Sequence, residues 1–267
     1  MLIDTHAHIG FDAYDEDRDE MMQRAYETGV HKVLHPCCTL AEFSKLIELT
    51  EFYNGEAKVN LFAAVGVHPC NIETWNDTSK AFIDEQAQKY KDQKLKAIGE
   101  TGLDYFHCTD PTEQEKQRNI FQDHIDIAKK HSLPLIVHTR DAWEDTQKIL
   151  KANYKLDPNA NNGAIHCFTG SQEDANNLLE LGFYISWSGV ITYKKNDHFR
   201  ETAKTISLKR FLVETDSPYL APQAKRGKRN EPSYVNFVVD TLSECYQLQR
   251  EELVKQSTKN AQTLFSF

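Results

Sequence analysis

The chain has 267 residues, a net charge of -9, 40% hydrophobic and 27% charged residues. That length suits two small domains or one large α/β barrel, and the acidic balance argues against a protein that coats nucleic acid non-specifically, without excluding an enzyme that acts on it. The six cysteines make no CxxC pair or dense framework, no basic-then-apolar leader is evident, and no apolar run is of membrane length, so a cytoplasmic chain with reduced thiols and no membrane partner is expected.

An apolar run over 2–9 predicts a first strand carrying Asp4-Thr5-His6-Ala7-His8. Residues two apart on a strand share a face, so His6 and His8 present two imidazoles together, either as a metal-ligand pair or as two unrelated histidines. Runs over 32–37, 61–67, 95–100, 133–138, 163–168, 183–189 and 211–216 predict seven further strands. Helical stretches lie between them. Phe121, Ile125 and Ala128 recur at helical spacing within 120–130, with His131 at the expected C-terminus. Gly182 follows Leu178–Leu181 where a helix-ending glycine belongs. This alternation predicts a single (β/α)8 TIM-barrel domain over 1–267. A doubly wound sheet is the rival, but Ile9-Gly10-Phe11-Asp12 is no Gly-rich phosphate loop.

In a barrel, functional side chains gather where the strands end. The runs end in His6-Ala7-His8, Val67-His68, Gly99-Glu100, Val137-His138, Ile165-His166 and Thr215-Asp216. His6, His8, Glu100, His138, His166 and Asp216 together offer four imidazoles and two carboxylates. That mixture suits Zn²⁺, Mn²⁺ or Mg²⁺, and it exceeds what one ion with an open position needs. Two divalent cations bridged by Glu100 are expected, a pair that in hydrolases sits about 3.5–4 Å apart. The plainer readings are a carboxylate paired with barrel cations and satisfied core histidines. Glu214 and Asp4 fall on the same faces as Asp216 and His6, as candidates to orient ligands; for Asp4 a purely structural role is an equal alternative. Glu100 and Asp216 are the candidate catalytic carboxylates, Asp216 as general base.

Substrate contacts are expected from His68, with a loop-structuring role as its equal alternative, and from Arg140, which is free to pair with phosphate or with Asp141 or Glu144. The segment Ala224-Lys225-Arg226-Gly227-Lys228-Arg229-Asn230 is strongly basic in an acidic chain. It is either a solvated face or a rim loop whose Arg226, Lys228 and Arg229 hold a polyanion's backbone. Tyr105, Phe106 and Trp187 are candidate stacking surfaces, with packing as the alternative.

The chain resembles the TatD family of metal-dependent deoxyribonucleases. The resemblance rests on Ile3-Asp4-Thr5-His6-Ala7-His8, Gly66-Val67-His68-Pro69, Ile98-Gly99-Glu100-Thr101-Gly102-Leu103-Asp104-Tyr105, Pro134 to Arg140, His166-Cys167-Phe168-Thr169-Gly170 and Glu214 to Pro222. Arg226 to Pro232 and Asn260-Ala261 add to it. It implies a TIM-barrel hydrolase in which His6, His8, Glu100 and Asp216 hold one ion and Glu100, His138 and His166 the other. It further implies a deoxyribonuclease using water activated by two metals. The alternative on the same centre is a D-aminoacyl-tRNA deacylase or another ester or amide hydrolase; a non-catalytic, metal-stabilised binding protein is a third reading. The expected partner is DNA, or another nucleic acid or aminoacyl-tRNA, with no obligate protein partner. Two departures bear on substrate preference and on any third metal site: Cys70 stands where some members carry a second His after His-Pro, and the segment after Asp104 reads Tyr105-Phe106-His107-Cys108.

Overall fold

The computed structural model describes Met1–Phe267. Eight parallel strands follow one another in chain order around a single sheet: β1 (Leu2–Asp4), β2 (Val30–Pro36), β3 (Asn60–Val65), β4 (Leu95–Asp104), β5 (Leu135–Arg140), β6 (Gly163–Ile165), β7 (Phe183–Trp187) and β8 (Phe211–Val213). Helices alternate with them: α1 (Arg18–Glu27), α2 (Phe43–Phe52), α3 (Ser79–Tyr90), α4 (Pro111–His131), α5 (Trp143–Asn153), α6 (Gln172–Glu180) and α7 (Asp197–Thr205), then α8 (Val235–Tyr246) and α9 (Arg250–Phe265). This is the expected TIM barrel.

Closure occurs where β8 meets the segment that leaves β1. Thr5 N–H donates to Val213 O at 3.1 Å, Asp216 N–H to His6 O at 2.9 Å and His8 N–H to Ser217 O at 2.8 Å. The Asp4 carboxylate accepts from Thr215 N–H at 2.9 Å and Thr215 Oγ1 at 2.6 Å, and from His6 N–H at 3.2 Å. Asp4 thus ties the first strand to the last through the backbone N–H and hydroxyl of Thr215, and touches no imidazole.

The expected first strand shortens to Leu2–Asp4, and β6 and β8 are equally brief. His6, His8, His166 and Asp216 therefore stand just past their strands. Their backbones stay anchored to neighbours, as His166 N–H is to Val137 O at 3.0 Å, but the regular ladder has ended as the chain turns into its loops. In contrast, β4 runs on to Asp104, carrying Glu100 in mid-strand.

The strand period of two sorts the apolar side chains into two layers. Val33, Val65, Ile98, Val137, Ile165 and Ile185 pack outward against the helices. One residue from each strand (Ile3, Leu34, Ala64, Ala97, Ile136, Ala164, Tyr184 and Leu212) fills the interior together with Ala261, Leu264 and Phe265 of α9. Thr258 Oγ1 donates to Met1 O at 2.7 Å and Asn260 Nδ2 to Phe211 O at 2.8 Å, which seats α9 across the end where strands begin. That mouth is plugged, and the polar cleft is at the other.

Local signals place the helices. Ser171 and Asp174 form a reciprocal capping box at the start of α6, and Gly182 beyond its end has φ +77°, where a Cβ would come within 2.7 Å of Ala160. Asp110 caps α4 by accepting from Thr112 N–H at 2.7 Å, with Pro111 in the first turn. His131 ends α4 as expected and meets Asp84 at 2.7 Å.

His124 on α4 is wholly buried. Its Nδ1 faces Ile120 O at 2.8 Å and its Nε2 faces Val67 N–H at 3.1 Å. A carbonyl only accepts and an amide N–H only donates, so the ring is neutral with its proton on Nδ1. Burial lowers its pKa to about 4. The unfolded chain takes up this proton near pH 6.5, so the stabilisation is complete above that value and is lost as pH falls toward 4. The loss amounts to about 3 kcal/mol at most. The urea-unfolding gap between wild type and His124→Gln is expected to narrow from pH 7 to pH 4.5; a gap that stays constant would contradict this.

Candidate metal centre

Seven side chains from six strand ends converge at the open mouth. His6 Nε2 and His8 Nε2 are 3.3 Å apart. Both face Asp216 Oδ1, at 3.6 and 3.5 Å, and Glu100 Oε2, at 3.3 and 3.8 Å. On the other side, Glu100 Oε1 lies 3.0 Å from His138 Nδ1, 3.0 Å from His166 Nε2 and 3.3 Å from His68 Nε2. His138 Nδ1 is 3.4 Å from His166 Nε2 and 3.3 Å from His68 Nε2. The two oxygens of one carboxylate thus serve two separate groups of imidazoles. Asp216 reaches its group from a left-handed backbone, φ +58°, which aspartate tolerates better than most residues.

The donor set fits divalent cations. Imidazole nitrogens that face one another at 3.3 Å can share only one proton, and here five of them converge on two carboxylates. Ligands held about 2.0–2.2 Å from a tetrahedral ion would be spaced about 3.3 Å apart, close to the separations here. The outward nitrogens of His166 and His138 are oriented as ligating histidines require. His166 Nδ1 meets Glu214 Oε1 at 3.2 Å, and His138 Nε2 meets Asp104 Oδ2 at 3.1 Å. At Glu100, burial opposes ionisation but the charges of His166, His68 and His6 outweigh it, and the carboxyl sits well below the usual range. Burial draws His6 down, whereas at His166 it is outweighed by Glu100 and Glu214, which hold that imidazole well above its ordinary value.

Glu214 is itself locked in place. It accepts Cys167 N–H at 2.6 Å and Ser186 Oγ at 2.5 Å. Replacing it with glutamine leaves a neutral amide in place of the charged acceptor that holds the His166 ring. Glu214→Gln is expected to weaken metal affinity by about 10–100-fold, read by competition with a chelating dye. Affinity equal to wild type would show that Glu214 does not orient His166.

The chain matches the family model described as TatD related DNase over residues 3–266. The chain belongs to the TatD related DNase family. Among relatives, it is 37% identical to the uncharacterized metal-dependent hydrolase YabD of Bacillus subtilis, an alignment covering 99% of each chain. It is 36% identical to the uncharacterized metal-dependent hydrolase YcfH of Escherichia coli K12, over 99% of this chain and 95% of that one. The crystal structure of YjjV, a TatD homologue from Escherichia coli K12, superposes with a TM-score of 0.90 at 29% identity, covering 100% of this chain and 98% of that one.

In this TatD-family chain the metal-type residues open into a cleft of about 930 Å³. Its wall includes Phe11, Glu42, Arg140 and Tyr219 beside His8, Glu100, His138, His166 and Asp216. His6 lies beneath it, fully buried. His68, read from sequence as a substrate contact or a loop-structuring residue, lines the cleft on the Glu100 Oε1 side, and its Nδ1 accepts Cys70 N–H at 3.0 Å. Arg140 does reach the cleft, with its guanidinium 3.8 Å from the centre of the half-exposed Phe106 ring; neither Asp141 nor Glu144 pairs with it.

Other expected substrate contacts are placed elsewhere. The Tyr105 hydroxyl donates to Asp145 Oδ2 at 2.6 Å and accepts from Arg118 at 2.8 Å, outside the cleft, because the residue after Asp104 turns toward α4 and α5. Trp187 is fully buried against Phe168 and Phe199. In the basic loop, Arg229 donates to Ala13 O at 2.5 Å and Asp17 Oδ2 at 2.7 Å, and Arg226 lies over the Tyr193 ring at 5.0 Å. Those contacts fold the loop back onto its neighbours. Lys228 is exposed, and none of the three lines the cleft. Sequence reasoning gave no role to Asp104 and took Cys70 and His107 only as departures from the family pattern; all three line the cleft. The signal for Asp104 was its even spacing from Glu100 along one strand face.

Proposed function

We propose that the chain is a metal-dependent hydrolase that cleaves the phosphodiester bonds of DNA. One observation carries this: the two oxygens of Glu100 face two distinct histidine groups, the arrangement of a carboxylate shared by two cations. His6, His8, Asp216 and Glu100 Oε2 would hold one ion; Glu100 Oε1, His138 and His166 would hold the other, while His68, whose Nδ1 accepts Cys70 N–H at 3.0 Å, turns an Nε2–H toward Glu100 Oε1. When bound, such cations acidify water and polarise a phosphoryl oxygen.

The chain's own groups do the rest. The Asp216 side chain, 13% exposed against 3% for Glu100, opens into the cleft, and it accepts the proton of the attacking water. Arg140, its guanidinium carbon 3.8 Å from the centre of the Phe106 ring, takes a phosphate oxygen by its paired N–H groups. Phe11 stacks on His8 with ring centres 4.6 Å apart and meets Tyr219 at 6.2 Å, so the opposite wall offers aromatic faces to bases.

The test is purified protein with end-labelled single- and double-stranded DNA and Mg²⁺, Mn²⁺ or Zn²⁺, with His166→Ala in parallel. Degradation by wild type alone is expected. Intact DNA under every metal, or equal cleavage by the variant, would reject the proposal. Release of a D-amino acid from tRNA with DNA untouched would move the assignment to carboxylic esters.

A further inference from the structure

We propose that Cys70, Asp104 and His107 form a separate cation site on the cleft wall, suited to zinc and distinct from the donors grouped around Glu100. The three come from different places. Cys70 follows His68-Pro69 after β3, Asp104 ends β4, and His107 lies in the loop beyond it. Cys70 Sγ is 3.5 Å from Asp104 Oδ2 and 3.7 Å from His107 Nδ1, and His107 Nδ1 is 2.9 Å from Asp104 Oδ2. Around a tetrahedral zinc ion with Zn–S about 2.3 Å and Zn–N or Zn–O about 2.0–2.1 Å, sulfur lies about 3.6 Å from a nitrogen or oxygen ligand, and those two lie about 3.3 Å from each other. The sulfur separations already match. The nitrogen–oxygen pair needs to open by a few tenths of an ångström.

The site is built as well as spaced. Asp104 is 1% exposed, and its Oδ1 accepts His107 N–H at 2.8 Å, which fixes the carboxylate with Oδ2 toward the sulfur. Cys70 and His107 are exposed on the cleft side, so a fourth position is left for water or for an anionic group of a substrate. A thiolate beside an imidazole and a carboxylate is a borderline-soft set that favours zinc over magnesium. On binding, the Cys70 thiol gives its proton to solvent and the sulfur ligates as thiolate. Asp104 Oδ2 also lies 3.1 Å from His138 Nε2, so an ion here shares a carboxylate with a histidine of the main cluster. The inference does not depend on which bond the enzyme hydrolyses.

The test uses the full chain, stripped with chelator and titrated with cobalt(II), then loaded with zinc and assayed for metal after gel filtration. A near-ultraviolet thiolate-to-cobalt charge-transfer band is expected in wild type. Cys38 is the other thiol near a metal-type nitrogen, 3.7 Å from His8 Nδ1, so Cys38→Ser is the control and should retain the band. Cys70→Ser should lose it. Cys70→Ser and His107→Gln should each bind about one zinc equivalent fewer than wild type, whatever number the Glu100 cluster holds. The His107 side chain is 53% exposed, so its replacement leaves the fold intact and keeps the comparison valid if Cys70→Ser misfolds. No band in wild type, a band that survives Cys70→Ser or disappears with Cys38→Ser, or equal zinc in wild type and His107→Gln would each overturn the site. Absence of DNA cleavage would overturn the proposed reaction alone.

Discussion

Glu100→Gln is expected to lower DNA cleavage by about three orders of magnitude, equivalent to about 4 kcal/mol of lost transition-state stabilisation. The reason is positional. Glu100 is 2% exposed, and it supplies Oε2 to the His6, His8 and Asp216 group and Oε1 to the His138, His166 and His68 group. An amide of the same shape has one oxygen and no charge, so one of the two groups loses its acceptor and the pair of cations loses its shared ligand. Initial rates on an end-labelled oligonucleotide give the first number, and elemental analysis gives the second: the variant should retain less metal than wild type. Activity within about tenfold of wild type would show that no shared carboxylate is needed.

Asp216→Asn is expected to lower kcat by about 10²–10⁴-fold while KM changes little. The side chain sits at the edge of the donor cluster, 3.5 Å from His8 Nε2, and is more open to the cleft than that of Glu100, 13% exposed against 3%. Asparagine keeps its shape and an oxygen donor but cannot take a proton. A variant that kept kcat and raised KM instead would make Asp216 a binding group. Read together, the two substitutions separate holding from proton transfer: Glu100→Gln loses metal and rate, Asp216→Asn mainly rate.

In the basic loop, charge and cleft lining part. Its cationic residues are conspicuous in a chain of net charge -9. Yet Arg229 spends its guanidinium on Ala13 O and Asp17, and Arg226 lies over Tyr193. Arg140, one cation among many in sequence, is the one that lines the cleft.

Barrel and donors were legible for a local reason. Strand side chains alternate with period two, and helix caps and apolar spacings act within a few residues, so the eight runs, Gly182 and the donors at strand ends could be read off the chain. What no window of sequence contains is which atoms meet. That His68 joins the Glu100 Oε1 group, that Tyr105 turns to Asp145, that Asp104 lies between His138 and His107, and that α9 plugs the far mouth all follow from how separate strands tilt and close. Those contacts join residues far apart in the chain, as in the hydrogen bond from Asp216 N–H to His6 O. Their geometry is set by closure of the whole sheet and the packing around it, which makes the donor list a property of the strands and the metal centre a property of the barrel.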